Sequence, residues 1–529
     1  MKYNSFMSSN NMMVSPHWLA SQVGSDIMKS GGNAIEAMIA SAAVISVVYP
    51  HMNSLGGDNF WIISDKALNV KAIDASGYSA KKATIEFYND KGFKNIPSRG
   101  PLAALTVPGA VAGWEKAFEY SKTKLGGTKT LDELLEPAEF ISLNGFAITN
   151  SLEKNLTLKK DELKNQNNFF HKFYKDNYNV GDILKFPEMS ETFKILKKNG
   201  LRDFYDGTLF KKIISDLDKT DSPLSKNDFN NFDSTYVNPL KIKLKNSLIY
   251  NLPPPTQGLA SLLILGIINQ KPDIFKNELN FIHGIVEATK IAFKIRDLYL
   301  TDPKYMSFEY EKTLNKKVFQ NMSNEINFNR ALRWPFEKSS GDTVWLGAID
   351  KNRNAVSFIQ SIYWEFGSGL FLPETGITMQ NRGISFSLDP NHHNCLLPER
   401  KPFHTIQPAL SIFDDGRIMP YGTMGGDGQP QTQAIIYSRY VNFNNNLQQS
   451  INEPRWLLGR TWGDKSTKLK LENRFDEEIY NKLKSLGHDI DLVDGFDDIM
   501  GHAGALVKNE KGLIEAGFDY RSDGAAIGN

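Results

Sequence analysis

The sequence predicts a layered fold of mixed α/β class, with helices before and after a strand-rich centre. Three observations carry this expectation. Capped apolar helical patterns fill residues 18–144, strand-like runs begin just after Gly341, and both patterns alternate from residue 408 onward. The 529 residues suffice for two or three average domains or one large enzyme fold. At 41% hydrophobic and 23% charged, the composition excludes a disordered or fibrous chain.

Taken in order, Trp18–Lys29 reads as a helix stopped by Gly31-Gly32, and Asn33 can cap a second, buried helix over Ala34–Val48. Pro50 ends it, and Gly56-Gly57-Asp58 leads into a strand at 60–64. Pro108-Gly109 opens a helix to about Tyr120, and Leu131–Asn144 is another, stopped by Gly145. Residues 152–235, richer in Lys, Asn and Asp, suggest an exposed helical layer. Pro253-Pro254-Pro255 precedes an apolar helix beginning near Gly258, then a long amphipathic one at 281–300. Strands follow at 343–349, 355–361, 408–413 and 418–422, helices at 430–440 and 476–486, and a last strand pair at 503–507 and 513–516. No internal repeat or low-complexity linker interrupts them.

Charge and cysteine narrow the partners. Lys plus Arg number 61 and Asp plus Glu 60, so no nucleic-acid partner is expected. The scattered lysines around 159–164 read as a solvated helix face. A single cysteine, Cys395, rules out an intrachain disulfide and favours a reducing compartment. The polar residues 1–11 do not read as a secretory signal. The longest apolar run, 37–49, is shorter than the roughly 20 residues of a membrane span. The expectation is a cytoplasmic protein without a membrane partner.

Common catalytic signatures are missing: no P-loop, no His-Glu-x-x-His, no Cys-x-x-Cys. His392-His393 would diverge on a strand, which disfavours a metal site there. Cys395 could act as a nucleophile with His404, against the plainer reading of buried packing. The glycine-rich run from Gly422 to Gly428 lacks dinucleotide-loop spacing and reads alone as a tight turn. At Gly341-Asp342-Thr343 a flexible stretch gives way to a strand opened by a hydroxyl residue. A threonine freed at a chain terminus carries nucleophile and base together, because its α-amino group can take the Oγ proton. The competing reading is a β-former at a strand start.

Here the order and spacing of several short runs matter. Gly31-Gly-Asn-Ala-Ile-Glu-Ala37, Leu55-Gly-Gly-Asp58, Leu105-Thr-Val-Pro-Gly109, Leu252-Pro-Pro-Pro255 and Val286-Glu-Ala288 with Arg296 resemble the gamma-glutamyltranspeptidase family. So, most strongly, do Gly341-Asp-Thr-Val-Trp345, Asp350 and Asn354-Ala-Val-Ser357. The resemblance spans residue 12 to the end. It implies a four-layer αββα sandwich of the N-terminal nucleophile hydrolase type and a proenzyme cut between Asp342 and Thr343. The resulting large subunit, 1–342, and small subunit, 343–529, would share one fold, as a heterodimer or a dimer of heterodimers. By family position Thr343 is the nucleophile, the N–H groups of Gly425 and Gly426 hold the oxyanion, and Ser361 positions the new amino terminus. The alternative for Ser361 is a solvent-facing strand serine. No metal or organic cofactor is expected.

Departures from the family pattern bear on the small-molecule substrate. The Arg-Glu pair that grips a glutamyl α-carboxylate is replaced by Ser76-Gly77, ahead of Ala83-Thr84. The acidic holder of the α-amino group falls near Ser385, and two carboxylate-binding serines appear as His404-Thr405. Arg382, in Gln380-Asn-Arg-Gly383, offers a guanidinium for two parallel hydrogen bonds to a carboxylate. Arg382, His404 and Thr405 would suit an acid whose carboxylate adjoins the scissile amide; a structural ion pair is the other role open to Arg382. The runs Ser357-Phe-Ile-Gln-Ser-Ile-Tyr363, Met424-Gly-Gly-Asp-Gly-Gln-Pro-Gln-Thr-Gln433, Arg455-Trp-Leu-Leu-Gly-Arg-Thr-Trp-Gly463 and Gly501-His-Ala-Gly504 are similar to family members that split oxamate into oxalate and ammonia during purine-ring breakdown. Oxamate is therefore the expected substrate. A γ-glutamyl hydrolase or transferase, or an unprocessed binding homologue, are the alternatives.

Overall fold

The computed structural model describes residues 3–334, 342–460 and 466–529. Gly341 of the junction, the side chain of Asp342, and Thr461-Trp462-Gly463 lie outside the described residues.

Among the described residues two seven-stranded antiparallel sheets form the centre. One runs, edge to edge, through Phe6–Ser8, Ile514–Phe518, Ala503–Lys508, Ile418–Thr423, Ala409–Phe413, Ser247–Asn251 and Leu240–Lys243. The other runs through Ala525–Gly528, Met12–Ser15, Asp342–Ile349, Ala355–Tyr363, Asp58–Ser64, Val70–Ala75 and Thr235–Val237.

Strand alternation sorts side chains into layers. In Asp58–Ser64, Phe60 and Ile62 join Trp345, Ile359, Leu410, Ile418 and Leu506 in a core between the sheets. Trp61 and Ile63 face the other way, into a core shared with the helices Trp18–Lys29 and Ala34–Val48. On the opposite side Ile249, Met419, Tyr421 and Ala505 pack under Gly258–Ile268 and Glu278–Tyr299. The layer order is αββα, as the resemblance implies. With both faces covered, Asp58–Ser64 and Ala355–Tyr363 are buried along their whole length.

The helix limits follow from capping. Asn33 Oδ1 accepts from the N–H groups of Ile35 and Glu36, and Glu36 returns the bond to the Asn33 N–H at 2.9 Å. Asp350 Oδ2 adds a third bond there, accepting from the Ala34 N–H at 3.0 Å. The strand at 60–64 begins two residues earlier than expected, and the helix after Pro108 extends to Lys124. The expected amphipathic helix, Glu278–Tyr299, is buried over most of its first four turns, because other helices cover both its sides. Met12–Ser15, Leu240–Lys243 and Ala525–Gly528 are strands that the sequence reading missed. At four residues each, they carry too few alternations to announce themselves.

Candidate active site

Thr343 is buried on Asp342–Ile349, where the strand register slips. Asp342 pairs with Tyr363 and Val344 with Gln360, so Ser361 and Ile362 together face Thr343. Such an irregularity takes a side chain out of regular alternation and is common beside active sites. Gln429, in the first turn of Gly428–Val441, points its Nε2 at Thr343 Oγ1 across 3.4 Å. The Gln407 N–H donates to Gln429 Oε1 at 3.2 Å, which fixes which end of that amide faces the threonine. Ser361 Oγ accepts from the Tyr363 N–H at 2.8 Å.

The glycine-rich run is the turn between Ile418–Thr423 and Gly428–Val441. Gly425 and Gly426 have φ of +115° and +51°, which glycine adopts without steric cost. Thr423 Oγ1 donates to the Met424 carbonyl at 2.8 Å, and the Gly428 N–H to the Gly425 carbonyl at 2.7 Å. These bonds fix the two peptide planes that carry the Gly425 and Gly426 N–H groups. Among the described residues neither N–H has a protein acceptor. Trp345, two residues past Thr343, lies against Gly422, where a Cβ would fall 2.3 Å from its ring. That contact and Gln429 hold the threonine strand to the glycine turn.

A second network joins this turn to the anion-binding candidates. Gln257 Nε2 donates to the carbonyls of Thr405 and Gly426, at 2.6 and 2.8 Å. Arg296 Nη1 donates to Gln257 Oε1 at 3.0 Å and to Asp427 Oδ1 at 2.7 Å. The sequence quoted Arg296 in a family run without giving it this task, and Gln257 went unnoticed.

Arg382, His404 and Thr405 do come together. Both terminal nitrogens of Arg382 lie 3.4 Å from Thr405 Oγ1, and its guanidinium stacks 3.6 Å from the centre of the Tyr363 ring. Among the described residues no carboxylate lies within ion-pair distance of Arg382, which corrects the structural-ion-pair alternative. Burial pulls its pKa to about 10, still protonated at neutral pH. His404 is held neutral by burial and by the Arg382 charge, so it brings hydrogen-bonding capacity and no charge. Its Nε2 lies 3.7 Å from Asp58 Oδ2, and among the described residues neither His404 nitrogen has a hydrogen-bond partner.

Asp58 is the residue that sequence reasoning left without a role. Its Oδ1 accepts from the N–H groups of Gly77 and Gly109, each at 3.0 Å. Burial raises its pKa to about 7, against the lowering effect of the Gly77 N–H, the Gln380 side chain, the Arg382 charge and the Gly109 N–H. Ser76 turns away, bonding Asp74 Oδ1 at 2.5 Å, and Ser385 Oγ bonds the Phe403 carbonyl at 3.2 Å. Beside this cluster opens a cavity of about 280 Å³, lined by Tyr363, Trp364, Ser385, Phe403, Arg296 and Arg460.

Cys395 is buried, with its Sγ 3.2 Å from Arg400 Nη1, consistent with packing. The rings of His392 and His393 stack 4.4 Å apart along the cavity wall, and burial lowers His393 to a pKa of about 4. No described helix is long and apolar enough to cross a membrane.

Comparison with known proteins bears on the fold and the family. The sequence model described as gamma-glutamyltranspeptidase matches residues 20–529. The chain is 44% identical over 528 residues to the oxamate amidohydrolase proenzyme of Klebsiella pneumoniae, covering 99% of this chain and 100% of that one. A glutathione hydrolase-like proenzyme of Bacillus subtilis is 38% identical over 534 residues, covering 99% of each. Among solved structures, a cephalosporin acylase from Bacillus halodurans superposes with a TM-score of 0.92 at 30% identity, covering 100% of this chain and 97% of that one.

Proposed function

The chain belongs to the gamma-glutamyltranspeptidase family and is an amide hydrolase; we propose that Thr343 is its nucleophile and that oxamate is its substrate. The observation that carries the nucleophile is the strand irregularity at Thr343 together with the Gln429 amide 3.4 Å from its Oγ1, Gln429 lying three residues past Gly426.

Maturation begins when Thr343 Oγ attacks the carbonyl carbon of Asp342. The C–N bond gives way to an ester, and water hydrolyses that ester to leave the Asp342 carboxylate and a Thr343 amine. The position of Ser361 opposite Thr343 supports a role for it in orienting that amine. In turnover the amine takes the Oγ proton as Oγ attacks the substrate amide carbon. The oxyanion accepts from the Gly425 and Gly426 N–H groups, a contribution of about 10²–10³ in rate per donor. The proton passes to the leaving nitrogen, ammonia departs, and water resolves the acyl ester to the free acid. Arg382 with Thr405 and His404 receives a carboxylate next to that carbon. A short, planar amide acid such as oxamate suits so compact a site, and the 44% identity to an oxamate amidohydrolase supports it.

Incubating the purified protein with oxamate and, separately, with a γ-glutamyl anilide tests the assignment. Ammonia release from oxamate is expected, with little aniline. Efficient anilide turnover without ammonia from oxamate reverses the substrate. A single full-length band on a denaturing gel after prolonged incubation defeats the self-cutting step.

A further inference from the structure

Away from Thr343, the helix Glu278–Tyr299 presents His283 and Glu287 one turn apart on one face. His488 reaches the same point from the link between Glu477–Ser485 and Ile490–Val493. One ligand atom from each of the three lies within 4.8 Å of the others, and all three residues are buried.

The hydrogen bonds around His283 settle its tautomer. Its Nε2 is 2.9 Å from the Asn327 carbonyl, which can only accept, so Nε2 carries the hydrogen and Nδ1 keeps its lone pair. That lone pair faces His488 Nε2 at 2.8 Å. An imidazole whose far N–H is tied to a backbone carbonyl while its near nitrogen stays bare is the arrangement that orients metal-ligating histidines. Burial lowers the pKa of both rings, that of His488 to about 3, so both are neutral at pH 7.

We propose that His283 Nδ1, His488 Nε2 and a carboxylate oxygen of Glu287 bind one divalent transition-metal ion, zinc foremost. Zinc–nitrogen bonds near 2.0–2.1 Å in a tetrahedral site need the two nitrogens to part to about 3.3 Å, a small ring movement. Binding shifts the His488 hydrogen from Nε2 to Nδ1. Glu287 Oε1 is now 2.8 Å from Lys290 Nζ, and Oε2 accepts from the Leu332 N–H at 2.7 Å. Lys290 has a second anchor in the Leu332 carbonyl at 2.8 Å, so it can yield Oε1 without becoming stranded. A cavity of about 600 Å³, lined in part by His488, Asn327 and Lys290, supplies an approach and room for a water as fourth ligand. Arg296 lies nine residues beyond Glu287, about 14 Å further along the helix axis, which separates this site from the hydrolytic one. If the chain is cut before Thr343, as proposed above, the ion joins a ligand of the small subunit to two of the large.

Cobalt(II) is the probe. Wild-type protein freed of metal by a chelator, then titrated with Co²⁺, should develop the visible absorption of tetrahedral cobalt at one equivalent, and Zn²⁺ should bleach it. His488→Gln and Glu287→Gln should each weaken Co²⁺ binding by at least about tenfold. The uncut Thr343→Ala precursor should give the wild-type spectrum, which keeps this test independent of processing. No tetrahedral band in the wild type, or a band unchanged in His488→Gln, overturns the proposal.

Discussion

Gln257 is hydrogen-bonded through one nitrogen to the carbonyl of Gly426 at 2.8 Å and to that of Thr405 at 2.6 Å, tying the turn proposed to hold the oxyanion to the segment proposed to bind the carboxylate. Arg296 holds the other end of the amide and fixes which end donates. Gln257→Glu keeps the shape but turns an acceptor oxygen, in place of the donor, toward both carbonyls. The expected outcome is a fall in kcat of roughly 10²-fold from misaligned N–H donors, with a smaller change in KM. Steady-state kinetics on oxamate, beside a melting curve to monitor folding, check this split. A KM effect alone would place Gln257 in substrate binding instead.

Thr343 tests the nucleophile by chemistry rather than by geometry. Thr343→Ala should leave one full-length chain with no detectable hydrolysis, since neither the cut nor the acyl-enzyme can form. Thr343→Ser keeps a hydroxyl and should still divide into two fragments, more slowly because the Oγ has lost the methyl group that restricts its rotamers. Edman sequencing of the shorter wild-type fragment should read Thr-Val-Trp-Leu. Another first residue in a fully active preparation would remove Thr343 from its role.

The long helices and the paired strands from Asp342 to Tyr363 were legible because each carries its own period and its own caps. Asn33 and Glu36, three residues apart, announce the start of Ala34–Val48 by themselves. Asp350 was not legible in this way. It was readable as part of a family run, but its bond to the Ala34 N–H spans 316 positions of chain. The site divides along the same line. Thr343, Arg382 and His404 were singled out by where they fall in or against the family's runs, whereas Gln257 and Asp58 stand out only by their placement in the fold. Gln257 looks like any polar residue after a proline run, and its two carbonyl partners exist only once the sheets are stacked.

Arg382→Lys separates charge from shape. The guanidinium lies flat on Tyr363 while both its terminal nitrogens face Thr405 Oγ1, a geometry that an ammonium cannot copy. The variant should raise KM for oxamate by about 10–100-fold, the loss of one of two charged hydrogen bonds plus the stacking. The fraction of chain that is cut should not change, because the cut requires no bound carboxylate. Impaired cutting would show that Arg382 instead supports the fold around Tyr363.

Asp350→Ala should act on stability alone. The carboxylate accepts from the N–H groups of Ala34 and Asn354 and from the Asn354 side chain, all at 2.8–3.0 Å, in a buried corner. Removing it leaves those donors unpaired, at a cost of about 2–3 kcal/mol. A lower denaturation midpoint with unchanged kcat is expected. A large fall in kcat in the folded variant would mean that the cap also positions the catalytic strand.

Asp58 sets the most specific pH dependence. Its pKa is raised by burial from 3.8 to about 7, so the folded state holds a proton that the unfolded chain releases. Its contribution to stability is full below about pH 4 and is lost as pH rises through about 7. A substrate carboxylate entering beside Arg382 and His404 meets a neutral Asp58 below pH 7 and a like charge above it. KM for oxamate should therefore climb about tenfold per pH unit above 7, while kcat follows the Thr343 amine and rises over the same range. Asp58→Asn retains an acceptor for the Gly77 and Gly109 N–H groups and cannot ionise. It should flatten the KM limb and leave the kcat limb in place. A KM profile that stays steep in Asp58→Asn would assign the titration to another group.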